Sequence, residues 1–95
     1  MKSIVVLNDQ DNVATSLLEL SDGQSVVVHL GDDEREIVVR DDVPFGHKIA
    51  IRPLDTGDDV LKYGEVIGRA SRDIAPGEWV HIHNVESARA RGDLS

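Results

Sequence analysis

Several side chains in this sequence carry chemistry at spacings that bring them together. His81 and His83 stand one residue apart in "GEWVHIHNVES", next to Asn84. Read as a strand, "EWVHIHNV" sends Val80, Ile82 and Asn84 to one side and Trp79, His81, His83 and Val85 to the other. Val80 and Ile82 look like the core face. Two imidazoles on the other face can share one divalent ion or one substrate, with further metal ligands supplied from elsewhere. The pattern suits solvated or hydrogen-bonded strand histidines equally well, and both readings stay open here.

A second polar knot is "PFGHK", from Pro44 to Lys48. Proline and glycine bracket a turn, and His47 and Lys48 lead out of it into the run "HKIAIR". His47 has the chemistry of a base or a ligand, and Lys48 that of a carboxylate binder or a base. The plainer reading is a turn histidine beside an exposed lysine. "LKYGEVIGRA" adds Lys62, Tyr63 and Arg69 around two glycines. His29, alone inside "SVVVHLG", reads as structural.

Composition narrows the classes that could use these groups. The 95 residues make one small domain, and there is no cysteine, so disulfides, thiolate metal sites and cysteine nucleophiles are excluded. Eighteen acidic against ten basic residues give a formal charge of −8, a surface that repels nucleic-acid backbones and anionic membranes. The acidic stretches "GDDERE" and "DTGDD" read as solvated loops, and the second lacks the length and distal glutamate of an EF-hand. The opening "MKSIVVLND" is too short in apolar residues for a signal peptide, and no run approaches a membrane span. A soluble, cytoplasmic chain is the expectation.

The elements that must position these residues are short and β-rich. Glycines and prolines recur at close intervals, and between them lie "SIVVL", "SVVVHL", "REIVVR", "HKIAIR", "EVIGRA" and "EWVHIHNV". Several alternate apolar and polar with period two, the pattern of a compact, mainly β domain with tight turns. Only "DNVATSLLELSDG" also suits a helical turn, capped by Asp11 with Val13, Leu17 and Leu20 at helical spacing; strand and helix remain open there. An internal repeat sharpens the picture. "AIRPLDTGDDVLKY" (50–63) aligns without gaps on "ASRDIAPGEWVHIH" (70–83), and "LLELSDGQSVVV" is a fainter copy. Each unit reads as strand, glycine turn, strand. The simplest architecture folds these corners over one another with approximate two-fold pseudo-symmetry, and it places Tyr63 where the other copy has His83.

The run "VPFGHKIAIRPLDTGDDVLKYGEVIGRASRDIAPGEWVHIHNVES" closely resembles the N-terminal module of the altronate and galactarate dehydratase family of UxaA-type hydro-lyases. GHK, KYG, IG-x-A and HxHN occur in the family's order, and with "NDQDNVAT" and "LLELSDGQSV" the likeness extends over about residues 7 to 87. The resemblance implies a SAF domain with a β-clip fold over residues 1–88, followed by a flexible tail at 89–95. In some relatives the module is fused ahead of a large catalytic region; in others it is a separate small subunit. The chain resembles the separate-subunit form or an excised domain.

What the resemblance implies for chemistry is dehydration of an aldonate or aldarate to a 2-keto-3-deoxy acid, together with a large catalytic subunit. It also implies a divalent metal, Fe²⁺ or alternatively Mn²⁺, held mainly by that subunit. Removing a proton beside a carboxylate demands stabilisation of the enediolate, and the departing hydroxyl needs an acid. His47, Lys48, Lys62 and Tyr63 are the expected catalytic groups. Arg69, His81, His83 and Asn84 are expected to bind substrate, with His81 and His83 the metal candidates within this chain. A sulfolactate sulfo-lyase-like small subunit is the alternative, and a non-catalytic SAF module binding a ligand or partner is another. A domain of this size encloses little of a six-carbon polyol, so most of the pocket is expected on the partner.

Overall fold

A computed structural model describes residues 3–87; the expected tail at 89–95 lies outside the described residues. The described chain is all strand. In order it forms β1 (Ile4–Val5), β2 (Val13–Ser16), β3 (Ser25–Leu30), β4 (Asp33–Val38), β5 (Lys48–Ala50), β6 (Asp59–Lys62), β7 (Glu65–Ala70), β8 (Trp79–Val80) and β9 (Val85–Ser87). Every pairing is antiparallel, in sheets ordered β1-β2-β5-β8, β3-β4 and β6-β7-β9. Among the described residues no helix is long and apolar enough to cross a membrane.

The segment that suited helix or strand is strand β2, followed by the bridge residue Leu20. Its environment explains the outcome. Val13 and Ala14 are both buried but in different cores, because β2 and β5 lie between two apolar clusters. Ala14 and Ile49 face the first, with Leu20, Val28, Val39 and Val43. Val13 and Ala50 face the second, with Leu54, Val60, Ile74 and Val80. A strand offers one side chain to each face, whereas a helix with one apolar stripe serves a single core.

The internal repeat is real and runs further than the sequence suggested. Four segments share the form apolar-x-x-Gly-x-x-apolar: "LSDGQSV" (20–26), "VPFGHKI" (43–49), "LDTGDDV" (54–60) and "IAPGEWV" (74–80). Each glycine has positive φ, 89° at Gly23, 83° at Gly46, 92° at Gly57 and 95° at Gly77, the third position of a type II turn. The corners pair by reciprocal bonds. Leu54 N–H donates to Ile74 O (2.9 Å) and Ile74 N–H to Leu54 O (2.8 Å), while Gly57 N–H reaches Ala70 O and Gly77 N–H reaches Ala50 O, both at 2.8 Å. The first two corners repeat this: Leu20 and Val43 exchange bonds, Gly23 N–H donates to Val39 O and Gly46 N–H to Ser16 O. The expected pseudo-two-fold relation therefore occurs twice, once over each core. The 43–49 corner was not among the copies that the sequence comparison gave.

Inside three of the turns, the residue after the glycine has a local task. Asp58 Oδ2 accepts from Asp55 N–H (2.7 Å), Glu78 Oε2 from Ala75 N–H (2.6 Å) and Gln24 Oε1 from Ser21 N–H (2.9 Å). The corresponding pair at 43–49 is Pro44 and His47. Proline has no N–H to donate, so no such bond exists there.

Between the third and fourth corners, Thr56 N–H and Oγ1–H both donate to Asp73 Oδ1, at 2.8 and 2.9 Å. The backbone bond first, then the hydroxyl, holds the Asp73 carboxyl below its ordinary value of 3.8. A carboxyl depressed on folding stabilises the fold above its ordinary range, and that contribution disappears as pH falls through the lowered value. Asp73→Ala is therefore expected to lower the urea midpoint at neutral pH, with the gap to the parent narrowing in acid. A gap that widened on acidification would contradict this linkage.

Candidate functional site

The "HIHN" stretch is a turn. Strand β8 stops at Val80, and after the turn the chain returns as β9. The extended reading fails because Asn84 is the one side chain of the stretch that reaches the interior, at 0 % exposure, and it organises the backbone around itself. Its Oδ1 accepts from His81 N–H (2.9 Å), its Nδ2 donates to Trp79 O (2.8 Å), and its own N–H returns to His81 O (3.1 Å). Ile82, expected to lie in the core, stands at the tip instead, 84 % exposed.

The turn still delivers both imidazoles to one place. His81 stacks on Trp79 with ring centres 5.1 Å apart and planes 8° from parallel, and His83 leans on the same indole at 5.2 Å and 42°. His47 completes the group, 5.0 Å from His81 and 5.8 Å from Trp79. Its presence follows from topology: β5, leaving the 43–49 corner, pairs with β8, leaving the 74–80 corner, with Ile49 opposite Trp79. The indole Nε1–H donates to His47 Nδ1 at 3.2 Å. An indole nitrogen only donates, so Nδ1 is the acceptor and the neutral imidazole carries its proton on Nε2. Trp79 is thus part of the site, which sequence reasoning missed. The signal was available: it is the sole tryptophan, two and four residues before the histidines.

Beside the imidazoles, and sharing His81 with them, Lys48 and Lys62 border an open cleft of about 380 Å³ with Ile67, Val80, Ile82, Val85 and Ser87. Partial burial first, and then the neighbouring Lys62 charge, lower the pKa of Lys48. His81 is lowered too, first by desolvation and then by repulsion from neighbouring groups, Lys48 among them. Both shifts record, before anything else, partial withdrawal from water.

Tyr63 and Gly64 form the two-residue turn of the β6–β7 hairpin, with φ of 55° and 80° and Lys62 opposite Glu65, as a type I′ turn requires. Tyr63 accepts the left-handed conformation under restraint. Its hydroxyl bonds Thr15 Oγ1 at 3.1 Å, the Lys62 ammonium sits 5.0 Å from its ring centre, and Gly64 N–H donates to the buried Asp11 Oδ1 at 2.8 Å. Thr15 lies opposite Lys48 across β2 and β5, so the tyrosine stands on the lysine side of the site. The structure thus gathers His47, Lys48, Lys62, Tyr63, His81 and His83. Arg69 instead pairs with Asp59 at 3.4 Å on the β6–β7 hairpin, and Asn84 lies beneath the turn with both ends of its amide on backbone.

Among the described residues no group of three or more His, Asp or Glu side chains is placed to hold an ion. His81 and His83 both rest on Trp79, and His47 Nδ1 is engaged by the indole. What the arrangement offers is proton donors and acceptors beside two ammonium groups.

The family described as altronate/galactarate dehydratase SAF domain matches residues 2–88. Altronate dehydratase of Bacillus subtilis (strain 168) is 38 % identical over 87 residues, covering 92 % of this chain and 17 % of that protein. Altronate dehydratase of Escherichia coli (strain K12) is 43 % identical over 77 residues, 81 % of this chain and 15 % of its own. The (2R)-sulfolactate sulfo-lyase subunit alpha of Chromohalobacter salexigens is 39 % identical over 88 residues, 90 % of this chain and 94 % of that subunit. The chain spans about a sixth of the length of the altronate dehydratases and nearly all of the sulfo-lyase subunit. With a family match over almost its whole length, the chain belongs to the altronate/galactarate dehydratase SAF-domain family.

Proposed function

We propose that this chain is the SAF-type small component of a lyase that dehydrates a sugar acid to a 2-keto-3-deoxy acid, working with a large catalytic subunit. The observation that carries the reading is the convergence of His47, His81 and His83 on Trp79 with Lys48 and Lys62 alongside. Eliminating water beside a carboxylate needs cations for the acid group, a base for the α-proton and an acid for the leaving hydroxyl. Lys62, held over the Tyr63 ring, suits the first task. Lys48, with its lowered pKa, suits the second, because more of it is neutral than of an ordinary lysine. His47, with its proton on Nε2, suits the third. The divalent ion, Fe²⁺ or Mn²⁺, belongs in this reading to the large subunit.

The cleft is open, so the partner closes it. Ile82, on its rim and 84 % exposed, is the apolar side chain that the large subunit is expected to cover. A second reading, a sulfo-lyase acting on sulfolactate, is favoured by the nearly end-to-end alignment with a sulfo-lyase subunit alpha.

Both readings meet one experiment. The chain is purified with and without its large subunit and supplied with altronate, galactarate or sulfolactate; 2-keto-3-deoxy acid and sulfite are then measured. Keto-acid formation by the complex alone is the expected result, and sulfite release would transfer the assignment to the sulfo-lyase. Turnover by the isolated chain, or a complex inert to all three acids, would overturn the proposal. Ile82→Asp is expected to weaken assembly about thirtyfold, the equivalent of one buried isoleucine at about 2 kcal/mol, without altering the isolated fold.

A further inference from the structure

We propose that the cleft between Lys48 and Lys62 is an oxyanion-binding site that this chain possesses on its own, taking the carboxylate or sulfonate group of a small organic acid against an apolar floor. The identity of the acid rests on the lyase reading above; the binding does not, since every group it needs is in this chain.

The charge distribution is the first argument. The protein carries 18 acidic residues and a net charge of −8, yet no Asp or Glu lines the cleft. The groove lined by Glu19, Ser21 and Asp42 shows the opposite character. Among the described residues, the ion pairs are His29 with Glu34 and Arg69 with Asp59; neither Lys48 nor Lys62 joins one. The Lys62 ammonium rests over the Tyr63 ring, a contact that fixes its direction without neutralising it.

The second argument is the positioning of the two lysines. Lys48 leaves the centre of the β1-β2-β5-β8 sheet, and Lys62 leaves the rigid end of a hairpin anchored by Asp11, Asn12 and Thr15. Two half-buried cations repel each other, and an anion between them relieves both desolvation and repulsion. Val80, Ile67 and Val85 form the apolar floor, and His81 closes one side. About 380 Å³ suits a molecule of a few carbons better than a polymer end. The lowered pKa of Lys48 agrees with this placement.

The test uses the whole chain, ¹⁵N-labelled, titrated separately with glycolate, methanesulfonate, inorganic sulfate and neutral glycerol. Amide shifts are expected to centre on residues 48, 62 and 80–82 with glycolate and methanesulfonate, and glycerol is expected to do nothing. The stronger of the two organic anions identifies the preferred head group. Lys48→Gln and Lys62→Gln are each expected to weaken binding about tenfold, the effect of losing one charge-assisted hydrogen bond. Arg72→Gln, exposed and outside the cleft, is expected to change nothing. If Lys48→Gln perturbs folding, Lys62→Gln and the retained-charge Lys48→Arg decide the matter. Equal binding by parent and Lys62→Gln, shifts scattered over the arginines, or a response to sulfate alone would overturn the proposal. Failure of the lyase assay with binding intact would remove the proposed reaction and leave this site standing.

Discussion

Replacing Asn84 with alanine is expected to dismantle the imidazole cluster and to destabilise the domain by about 2–4 kcal/mol, although the residue touches no ring. The amide is fully buried, and it holds the turn by accepting from His81 N–H and donating to Trp79 O. Alanine leaves that N–H and that carbonyl without the partner that satisfied them, and it leaves a void. Asn84→Asp is the sharper variant, since a carboxylate can accept from His81 N–H but cannot donate to Trp79 O, and it brings a charge into the interior. Urea denaturation gives the stability loss. The imidazole signals of His81 and His83, which contact with the Trp79 ring is expected to shift in the parent, are expected to move towards those of solvated histidines. A loss under about 0.5 kcal/mol, within the range of an ordinary surface substitution, would show that the turn holds without its amide.

Gly77→Ala is expected to cost more still, and Gly57→Ala provides its internal control. Both glycines occupy the same turn position with nearly the same φ, 95° and 92°. A Cβ at Gly57 meets nothing within 4 Å, so its replacement measures the left-handed conformation alone, about 1–2 kcal/mol. A Cβ at Gly77 lies 2.1 Å from Val38 O and 3.1 Å from Val38 C. Backbone must move to admit it, and the local backbone is tied by Gly77 N–H to Ala50 O and Arg40 N–H to Gly77 O. We expect a loss exceeding that of Gly57→Ala by at least about 2–3 kcal/mol, read as a clearly lower denaturation midpoint. Similar denaturation midpoints for the two variants would refute the close packing of the fourth corner on β4.

The sequence carried the β class, the two strong corner copies and the faint one, because those depend on local rules: a glycine that must adopt positive φ, and apolar residues at fixed offsets around it. It also carried the residue types of the site. The geometry of "HIHN" was not legible. Period-two alternation in "EWVHIHNV" predicts a strand, and no glycine or proline marks the turn that Asn84 closes through its bonds to His81 and Trp79. Both His81 and His83 lean on Trp79, a contact that the alternation did not contain. The helix-or-strand ambiguity of "DNVATSLLELSDG" was likewise resolved by tertiary structure, through two cores that require opposite faces of one strand. The registration of β5 beside β8, which brings His47 to Trp79, is a long-range pairing that spacing along the chain does not encode.

Pro44 lends itself to one last consequence. In three corners the side chain after the glycine is conscripted by its own turn, so a mutation there trades chemistry against folding. By lacking an N–H, Pro44 releases the 43–49 corner from that obligation, and His47 becomes a vacancy that selection can fill without loss of scaffold. A subtraction of one hydrogen atom thus converts a structural module into a place for invention.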